Sequence, residues 1–174
     1  MKFTSLAGAE FFRMHSPRWA YMPTSGSGAA KQGGRANRQD VPALYLAGDT
    51  ATAIAEYRQT SSILPPGLLV SYEVNLARVA DFSAGYEAGW DPLWQEFFCE
   101  WRALKFAQEI EPPSWVLGDW VQDAGCSGLL FPSQTNPGGI NLVVYVDALN
   151  EPDSVVALDP GGDLPVSQDS WKKS

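Results

Sequence analysis

Apolar and polar residues alternate along Leu68–Leu76, so that every second side chain is apolar. A period of two predicts a strand with one buried face. Continuous apolar runs at Ala43–Ala47 and Ile140–Val146 predict buried strands, of which the second is the clearest in the chain. Weaker segments of the same character predict further strands at Phe11–His15, Val79–Phe82, Ser127–Phe131 and Ser154–Leu158.

Two segments carry ordinary helix signals. The first is Asp49–Gln59, where Asp49 or Thr50 can cap the free amides of the first turn. The second runs from Ser114 as a cap to about Ala124, and Gly125 is expected to end it.

A third helix is predicted from Asp91, which can act as a cap, with Pro92 at the first helical position. Apolar residues recur at helical spacing beyond it, which is typical of a stripe that faces the core and not of a cofactor site. These residues are Trp94, Phe97, Phe98, Trp101 and Leu104.

Strands and helices alternate without the regular order of a doubly wound sheet, which favours an α+β fold with a mixed β-sheet core and flanking helices. With 174 residues the chain is expected to form a single domain over 1–174. Its core is predicted at about 11–159, and the acidic tail after Asp159 is expected to be peripheral.

Composition and charge exclude several classes of protein. Hydrophobic residues make up 45% and charged residues 18%, which does not indicate disorder or a membrane protein. The net charge of -8 and the lack of a Lys/Arg run argue against a surface that binds nucleic acid. Two cysteines and one histidine give neither a disulfide framework nor a metal site. A cytoplasmic, reduced protein without a signal peptide or membrane span is expected.

The stretch Ser25–Gln59 combines a glycine-rich loop, a strand and a helix. Lys31 and Arg35 add positive charge to this loop, which favours an anion site there. The helix that follows carries Glu56. A solvated basic surface without a ligand is the alternative.

Common catalytic motifs are absent from the sequence, which has no P-loop, no nucleophile elbow and no complete dinucleotide-binding fingerprint. His15 acting as a base for Ser133 stays an open alternative. Arg35, Glu56 and Ser133 suit one task together: anchoring a diphosphate or carboxylate, stabilising a cationic sugar, and fixing a hydroxyl or amide. Each of the three also has an ordinary structural interpretation, as a loop cation, an exposed helix acid and a turn residue.

Two segments, GSGAAKQGGRANRQDVPALYLAGDTATAIAEYRQ and the later GLLFPSQTNPGGINLVVY, resemble the RES domain, which is found in the toxins of bacterial RES-Xre toxin-antitoxin modules. The resemblance extends from about Phe11 to about Asp159. A closer likeness is to the ParT-like branch, which ADP-ribosylates phosphoribosyl pyrophosphate synthetase.

The resemblance implies an ADP-ribosyltransferase-like fold, similar to the catalytic domain of diphtheria toxin, with NAD+ as a consumed co-substrate and no metal. It implies either transfer of ADP-ribose to a protein acceptor or depletion of NAD+ by a glycohydrolase or phosphorylase. It also implies an Xre-like antitoxin that blocks the active site. By motif position, the catalytic trio would be Arg35, Glu56 and Ser133, and Arg13, Tyr45 and Asn141 would also bind NAD+. Lys31 or Arg13 would help Arg35 to anchor the diphosphate.

The sequence departs from the family pattern at one position. Where the family has GGRWN, this chain has Ala36 in place of the tryptophan. We expect this position to be wider or less rigid, unless Trp19 or another aromatic residue fills the space. The departure keeps a second class of function open, a catalytically impaired module that binds the antitoxin.

Overall fold

The computed structural model describes residues 1–59 and 62–171. Its six strands are β1 (Phe3–His15), β2 (Ala43–Ala47), β3 (Leu68–Asp81), β4 (Gly128–Pro132), β5 (Ile140–Tyr145) and β6 (Ser154–Ala157). Each predicted strand is present. β1 begins at Phe3, well before the predicted start, and β3 continues through the segment that was expected as a separate extension.

Three α-helices are present: α1 (Ser27–Gln32), α2 (Thr50–Arg58) and α3 (Pro113–Asp123). The predicted cap of α2 is confirmed, because the Asp49 side chain accepts a hydrogen bond from the Thr52 amide at 2.7 Å. α3 begins at Pro113, so Ser114 lies inside the helix and is not its cap. Gly125 follows the end of α3 with φ +73°. Short 3-10 turns lie at Pro17–Trp19, Pro92–Glu96, Val146–Ala148 and Gln168–Trp171.

The aromatic segment after Asp91 does not form the single helix that its spacing predicts. It forms the 3-10 turn Pro92–Glu96, leaves the helical path, and then forms a π-helical turn at Ala103–Ala107. The carbonyls of Phe97 and Cys99 accept hydrogen bonds from Arg35 in this interval. Tertiary contact therefore overrides a helical pattern here. The expectation of a core role is correct, since Trp94, Phe97 and Trp101 are buried.

The strands form one mixed sheet in the order β1-β2-β5-β4-β3-β6. β3 and β4 are parallel and the other pairs are antiparallel. β1 also pairs with β3 along most of its length, so five strands close into a ring. The β1–β2 junction consists of the single pair Phe12–Ala47. β2 ends at this pair, and no further β1–β2 pair forms toward its start, which leaves room for a cleft.

Alternate residues of β5 enter two different hydrophobic clusters. Val143 and Tyr145 pack with the aromatic segment and α3, whereas Leu142 and Val144 pack with residues of β2 and β3. Both faces of β5 are buried, which explains why its sequence is continuously apolar. Leu164, in the tail expected to be peripheral, packs against the second cluster.

Candidate functional site

A cleft of about 780 Å³ lies where β1 and β2 separate. It is also bordered by α1, α2, the segment 98–102 and the loop 132–135. Five of the seven residues predicted to form the site line it, namely Arg13, Arg35, Tyr45, Glu56 and Asn141. Ser133 lies directly behind Glu56, whereas Lys31 is exposed on α1 and outside the lining.

Glu56 is the centre of one side of the cleft. It lies in the second half of α2, and its Oε1 atom accepts hydrogen bonds from Asn141 Nδ2 at 2.6 Å and from Ser133 Oγ at 2.8 Å. Both bonds go to the same oxygen, so within the described residues Oε2 receives no side-chain hydrogen bond. We call Glu56, Ser133 and Asn141 the carboxylate wall. It presents one fixed and one available carboxylate oxygen.

The position of Ser133 is set by the turn that follows β4. Its Oγ accepts hydrogen bonds from the amides of Thr135 at 3.2 Å and Asn136 at 3.1 Å. Asn136 Nδ2 in turn donates to Thr52 Oγ1 at 2.8 Å, which ties the turn to α2. The serine hydroxyl therefore has its proton directed to Glu56, because its lone pairs are taken by the backbone.

Arg35 also lines the cleft and is held at three points. Its Nη1 donates to the carbonyls of Phe97 at 3.2 Å and Cys99 at 3.1 Å, and its Nη2 donates to Gln134 Oε1 at 2.9 Å. Partial burial lowers the pKa of its guanidinium, although an arginine stays charged. Two of its five N–H groups, including Nε–H, remain for a ligand.

The turn that carries Arg35 is built around Asn37, a buried residue. Its Nδ2 donates to the carbonyls of Ala29, Arg38 and Val41, and its Oδ1 accepts the Tyr45 hydroxyl at 2.7 Å. Asn37 is not among the residues that the sequence predicts for the site, although its place two residues after Arg35 in the GGRAN motif is a signal. The side chain fixes the backbone on both sides of the arginine.

Two glycines in this turn have no room for a side chain. A Cβ at Gly33, whose φ is +79°, would lie 2.6 Å from the Trp115 ring. One at Gly34 would meet Asn37 Oδ1 and the Tyr45 hydroxyl. Trp115 also donates from Nε1 to the Gly34 carbonyl at 2.7 Å. Nothing local in the sequence connects this tryptophan on α3 with the turn.

Arg13 completes this side of the cleft. It lies on β1 and donates from Nη1 to the Tyr45 carbonyl at 3.1 Å. Burial lowers the pKa of Arg13 and raises that of the Tyr45 hydroxyl. We call Arg13, Arg35 and the turn Gly33–Asn37 the arginine wall.

Ala36 does not widen the cleft. It is fully buried and absent from the lining, and it belongs to the cluster around α3. Its carbonyl accepts the Tyr145 hydroxyl at 2.9 Å. The suggestion that Trp19 fills the space of the missing tryptophan is wrong, because Trp19 is 55% exposed and does not belong to the cluster around Ala36.

His15 does not act on Ser133 in this structure. Its Nε2 lies 2.5 Å from the Tyr72 hydroxyl, which donates to the Pro23 carbonyl at 2.8 Å. The imidazole therefore donates to the tyrosine oxygen. Burial, followed by the charge of Arg13, lowers the pKa of His15 to about 4. His15 is therefore a neutral residue that is hydrogen-bonded to Tyr72, and not the base for Ser133.

The cleft is positive although the chain has a net charge of -8. Its described lining contains three arginines, Arg13, Arg35 and Arg102, against one carboxylate, Glu56. Arg38 instead pairs with Glu111 and Asp119, outside the cleft. Three arginines and one carboxylate suit a ligand that carries an anionic group for the arginines and an uncharged or cationic group for Glu56.

Among the described residues, no cluster of three or more His, Cys, Asp or Glu side chains is placed to hold a metal ion. Within the same part of the chain, no helix has the length and apolar character needed to cross a bilayer.

The fold and the cleft define a mixed α+β domain in which two arginines held by hydrogen bonds share one cleft with a carboxylate that is also held by hydrogen bonds. The chain belongs to the RES domain family, whose model matches residues 10–167. A solved structure with the same fold is the M. tuberculosis MbcT-MbcA toxin-antitoxin complex, with a TM-score of 0.58 and 20% identity. The match covers 91% of this chain and 88% of that chain. A search of curated proteins found no match.

Proposed function

We propose that this protein is the toxin of a toxin-antitoxin module and that it cleaves the bond between nicotinamide and ribose in NAD+. Membership of the RES domain family supports the proposal, and the similar structure comes from a toxin-antitoxin complex. The observation that carries it is the pairing of an oriented Glu56 with Arg13 and Arg35 in one cleft. The family resemblance extends the proposal to an ADP-ribosyltransferase-like fold.

In this proposal Arg35 and Arg13 hold the diphosphate of NAD+. Arg35 contributes the two N–H groups that are not bonded to Phe97, Cys99 or Gln134. Because its orientation is fixed, less conformational entropy is lost when the ligand binds. The Tyr45 ring lines the cleft between them and would contact the nicotinamide or the ribose. Its hydroxyl is already bonded to Asn37, so the ring face is the part that meets the ligand. Lys31 has no role in this scheme because it lies outside the lining.

Glu56 acts on the ribose. As the glycosidic bond breaks, its electron pair leaves with nicotinamide and positive charge develops on the ribose ring. The available Glu56 oxygen stabilises this charge and accepts a ribose hydroxyl, while Ser133 and Asn141 hold the other oxygen. A nucleophile then attacks the anomeric carbon and transfers its proton to the carboxylate. NAD+ is consumed in this reaction as a co-substrate.

The fate of ADP-ribose distinguishes two versions of the proposal. In the first version a protein accepts it, and the ParT-like resemblance suggests phosphoribosyl pyrophosphate synthetase as the acceptor. In the second, water or phosphate accepts it, and cellular NAD+ is depleted. Labelled NAD+ in a lysate separates them, since a discrete labelled protein band means transfer and free ADP-ribose or its phosphate means depletion.

The resemblance also proposes a partner and a location. An Xre-like antitoxin would cover the cleft and supply any contact with DNA, so that the toxin acts in the cytoplasm. The alternative of a catalytically impaired binding module is weakened by the position of Ala36, whose side chain is buried in the core cluster and does not line the cleft.

Nicotinamide release from NAD+ by the purified protein tests the proposal. Glu56→Gln keeps the size of the side chain, and we expect it to lower the rate by about 10²- to 10³-fold, because a fixed charge opposite the forming cation is lost. Glu73→Gln removes an exposed carboxylate on β3 outside the cleft and should leave the rate unchanged. Release by the wild type no faster than by Glu56→Gln, with or without acceptor proteins, would overturn the proposal. Binding of NAD+ without turnover would favour the impaired module.

A further inference from the structure

Within the described residues, Arg102 is the arginine of the cleft whose guanidinium has neither a hydrogen-bond partner nor an ion-pair partner. It lines the cleft, its side chain is exposed, and within the described residues its guanidinium makes no hydrogen bond or ion pair. Arg13 and Arg35, in contrast, both donate to backbone carbonyls. All five N–H groups of Arg102 are therefore available to a ligand.

The guanidinium of Arg102 is nevertheless held in position by a contact with an aromatic ring. Its Cζ lies 4.4 Å from the centroid of the Trp101 ring, and Trp101 is buried. A cation over the face of a fixed indole ring is attracted by the ring electrons. Stacking leaves the edge of the planar guanidinium, which carries the N–H groups, free to face an oxyanion.

The backbone at Arg102 is also unusual. Arg102 precedes the π-helical turn Ala103–Ala107, at the end of the segment whose carbonyls hold Arg35. Single π-helical turns are rare and occur frequently at functional sites. The same irregular segment thus fixes one arginine through its backbone and supplies another from its end.

We propose that Arg102 binds the diphosphate of the dinucleotide as a further anion contact, in addition to Arg35 and Arg13. This inference deepens the proposed function and rests on it for the identity of the dinucleotide. Phosphate and guanidinium form paired, charge-assisted hydrogen bonds, and a free Arg102 can adjust to a ligand that the tethered Arg35 cannot follow. The cleft volume of about 780 Å³ is within the range of sites for ligands of this size.

Calorimetric binding in a Glu56→Gln background, where NAD+ is not consumed, tests this role. The three probes are NAD+, nicotinamide riboside, which lacks phosphate, and inorganic pyrophosphate. We expect Arg102→Gln to weaken NAD+ and pyrophosphate about tenfold or more and to leave the riboside unchanged, because only the first two carry the anion. Arg102→Lys should recover part of the loss, since it restores charge but not paired donors. Arg58→Gln, an exposed arginine on α2 outside the lining, is the matched control.

Equal weakening of all three probes would overturn the inference, because it would indicate a general disturbance of the cleft. Unchanged affinity for NAD+ and pyrophosphate would also overturn it. An effect confined to NADP+, added as a fourth probe, would contradict the diphosphate assignment and place Arg102 at the 2′-phosphate. If pyrophosphate binds through Arg102 but no nicotinamide compound binds, the anion site stands and the proposed function fails. If the Glu56→Gln protein with Arg102 intact binds no probe, both the Arg102 anion site and the proposed function fail.

Discussion

The two walls of the cleft are held in place by different kinds of contact. On the carboxylate wall, two side chains from different elements, Ser133 and Asn141, bond one oxygen of Glu56. On the arginine wall, the functional side chain is fixed by backbone carbonyls and by a turn that is itself folded around Asn37. The carboxylate wall thus depends on hydrogen bonds between side chains, whereas the arginine wall depends mainly on the conformation of the backbone.

Because of this difference, we expect substitutions on the two walls to affect activity and folding stability to different degrees. A substitution on the carboxylate wall removes a hydrogen bond but leaves α2 and β5 intact, so it should change activity more than folding. A substitution in the turn Gly33–Asn37 releases buried carbonyls or creates a clash, so it should lower the free energy of unfolding together with ligand binding.

The largest loss of stability is expected for Gly34→Ala. The added methyl group would collide with Asn37 Oδ1 and the Tyr45 hydroxyl, both of which are fixed by hydrogen bonds. We expect the free energy of unfolding in urea to fall by about 3 kcal/mol or more. Gly28→Ala is the control, because a Cβ there meets no atom within 4 Å. Similar stability for the two variants would mean that the turn is not rigid.

Asn37→Ala should have the next largest effect. It leaves the carbonyls of Ala29, Arg38 and Val41 without their shared donor and the Tyr45 hydroxyl without its acceptor. The loss in urea unfolding should be about 2–3 kcal/mol. Gln39→Ala, at an exposed position in the same loop, should stay within about 0.5 kcal/mol of the wild type. A loss confined to activity would break the comparison, since Asn37 would then behave like the carboxylate wall.

Asn141→Ala tests the carboxylate wall, where we expect a large loss of activity and a small loss of stability. Glu56 Oε1 would keep its bond to Ser133 but lose the shorter one, so the carboxylate would be less well oriented. We expect nicotinamide release to slow by about tenfold to hundredfold, because the charge opposite the forming cation is no longer held in place. Stability should fall by less than about 1.5 kcal/mol. Asn150→Ala, outside the cleft, should change neither quantity. A stability loss as large as that of Asn37→Ala would remove the distinction between the walls.

The smallest effect concerns β1, which carries both Arg13 and His15. The folded-state pKa of His15, about 4, lies below the ordinary value of about 6.5. Between these values the unfolded chain binds a proton that the folded chain does not, so stability falls as the pH falls. From pH 7 to 5.5 this contribution is about 1 kcal/mol. His15→Gln should lose that part of the pH dependence, and an unchanged slope in urea unfolding would contradict it.

The strands could be predicted from the sequence because their signal is local. The alternation in Leu68–Leu76 and the apolar run Ile140–Val146 reflect burial on one face and on both faces. The helical spacing after Asp91 was misleading for a physical reason. The same aromatic side chains fill the core from an irregular backbone, and Arg35 takes two carbonyls that a helix would have used internally.

The candidate site was predictable in part. The order of the motifs indicated Arg35, Glu56 and Ser133. The structure places Arg35 and Glu56 in the lining of one cleft and Ser133 directly behind Glu56. The contacts that shape the arginine wall were not predictable, because Trp115 and Gln134 are distant from Arg35 in the chain. The glycine-rich stretch also differs from the expected loop, since Ser27–Gln32 forms α1 and carries Lys31 away from the cleft.

The central claim is that Glu56 presents one oriented carboxylate oxygen to the ribose of NAD+. A crystal structure of Glu56→Gln with NAD+ tests it most directly, because the substitution keeps the side-chain shape and slows turnover. We predict that the hydroxyls of the nicotinamide ribose lie within hydrogen-bond distance of the residue-56 side chain, with the diphosphate toward Arg35. NAD+ bound elsewhere on the protein, or bound in the cleft with its nicotinamide ribose away from residue 56, would contradict the claim.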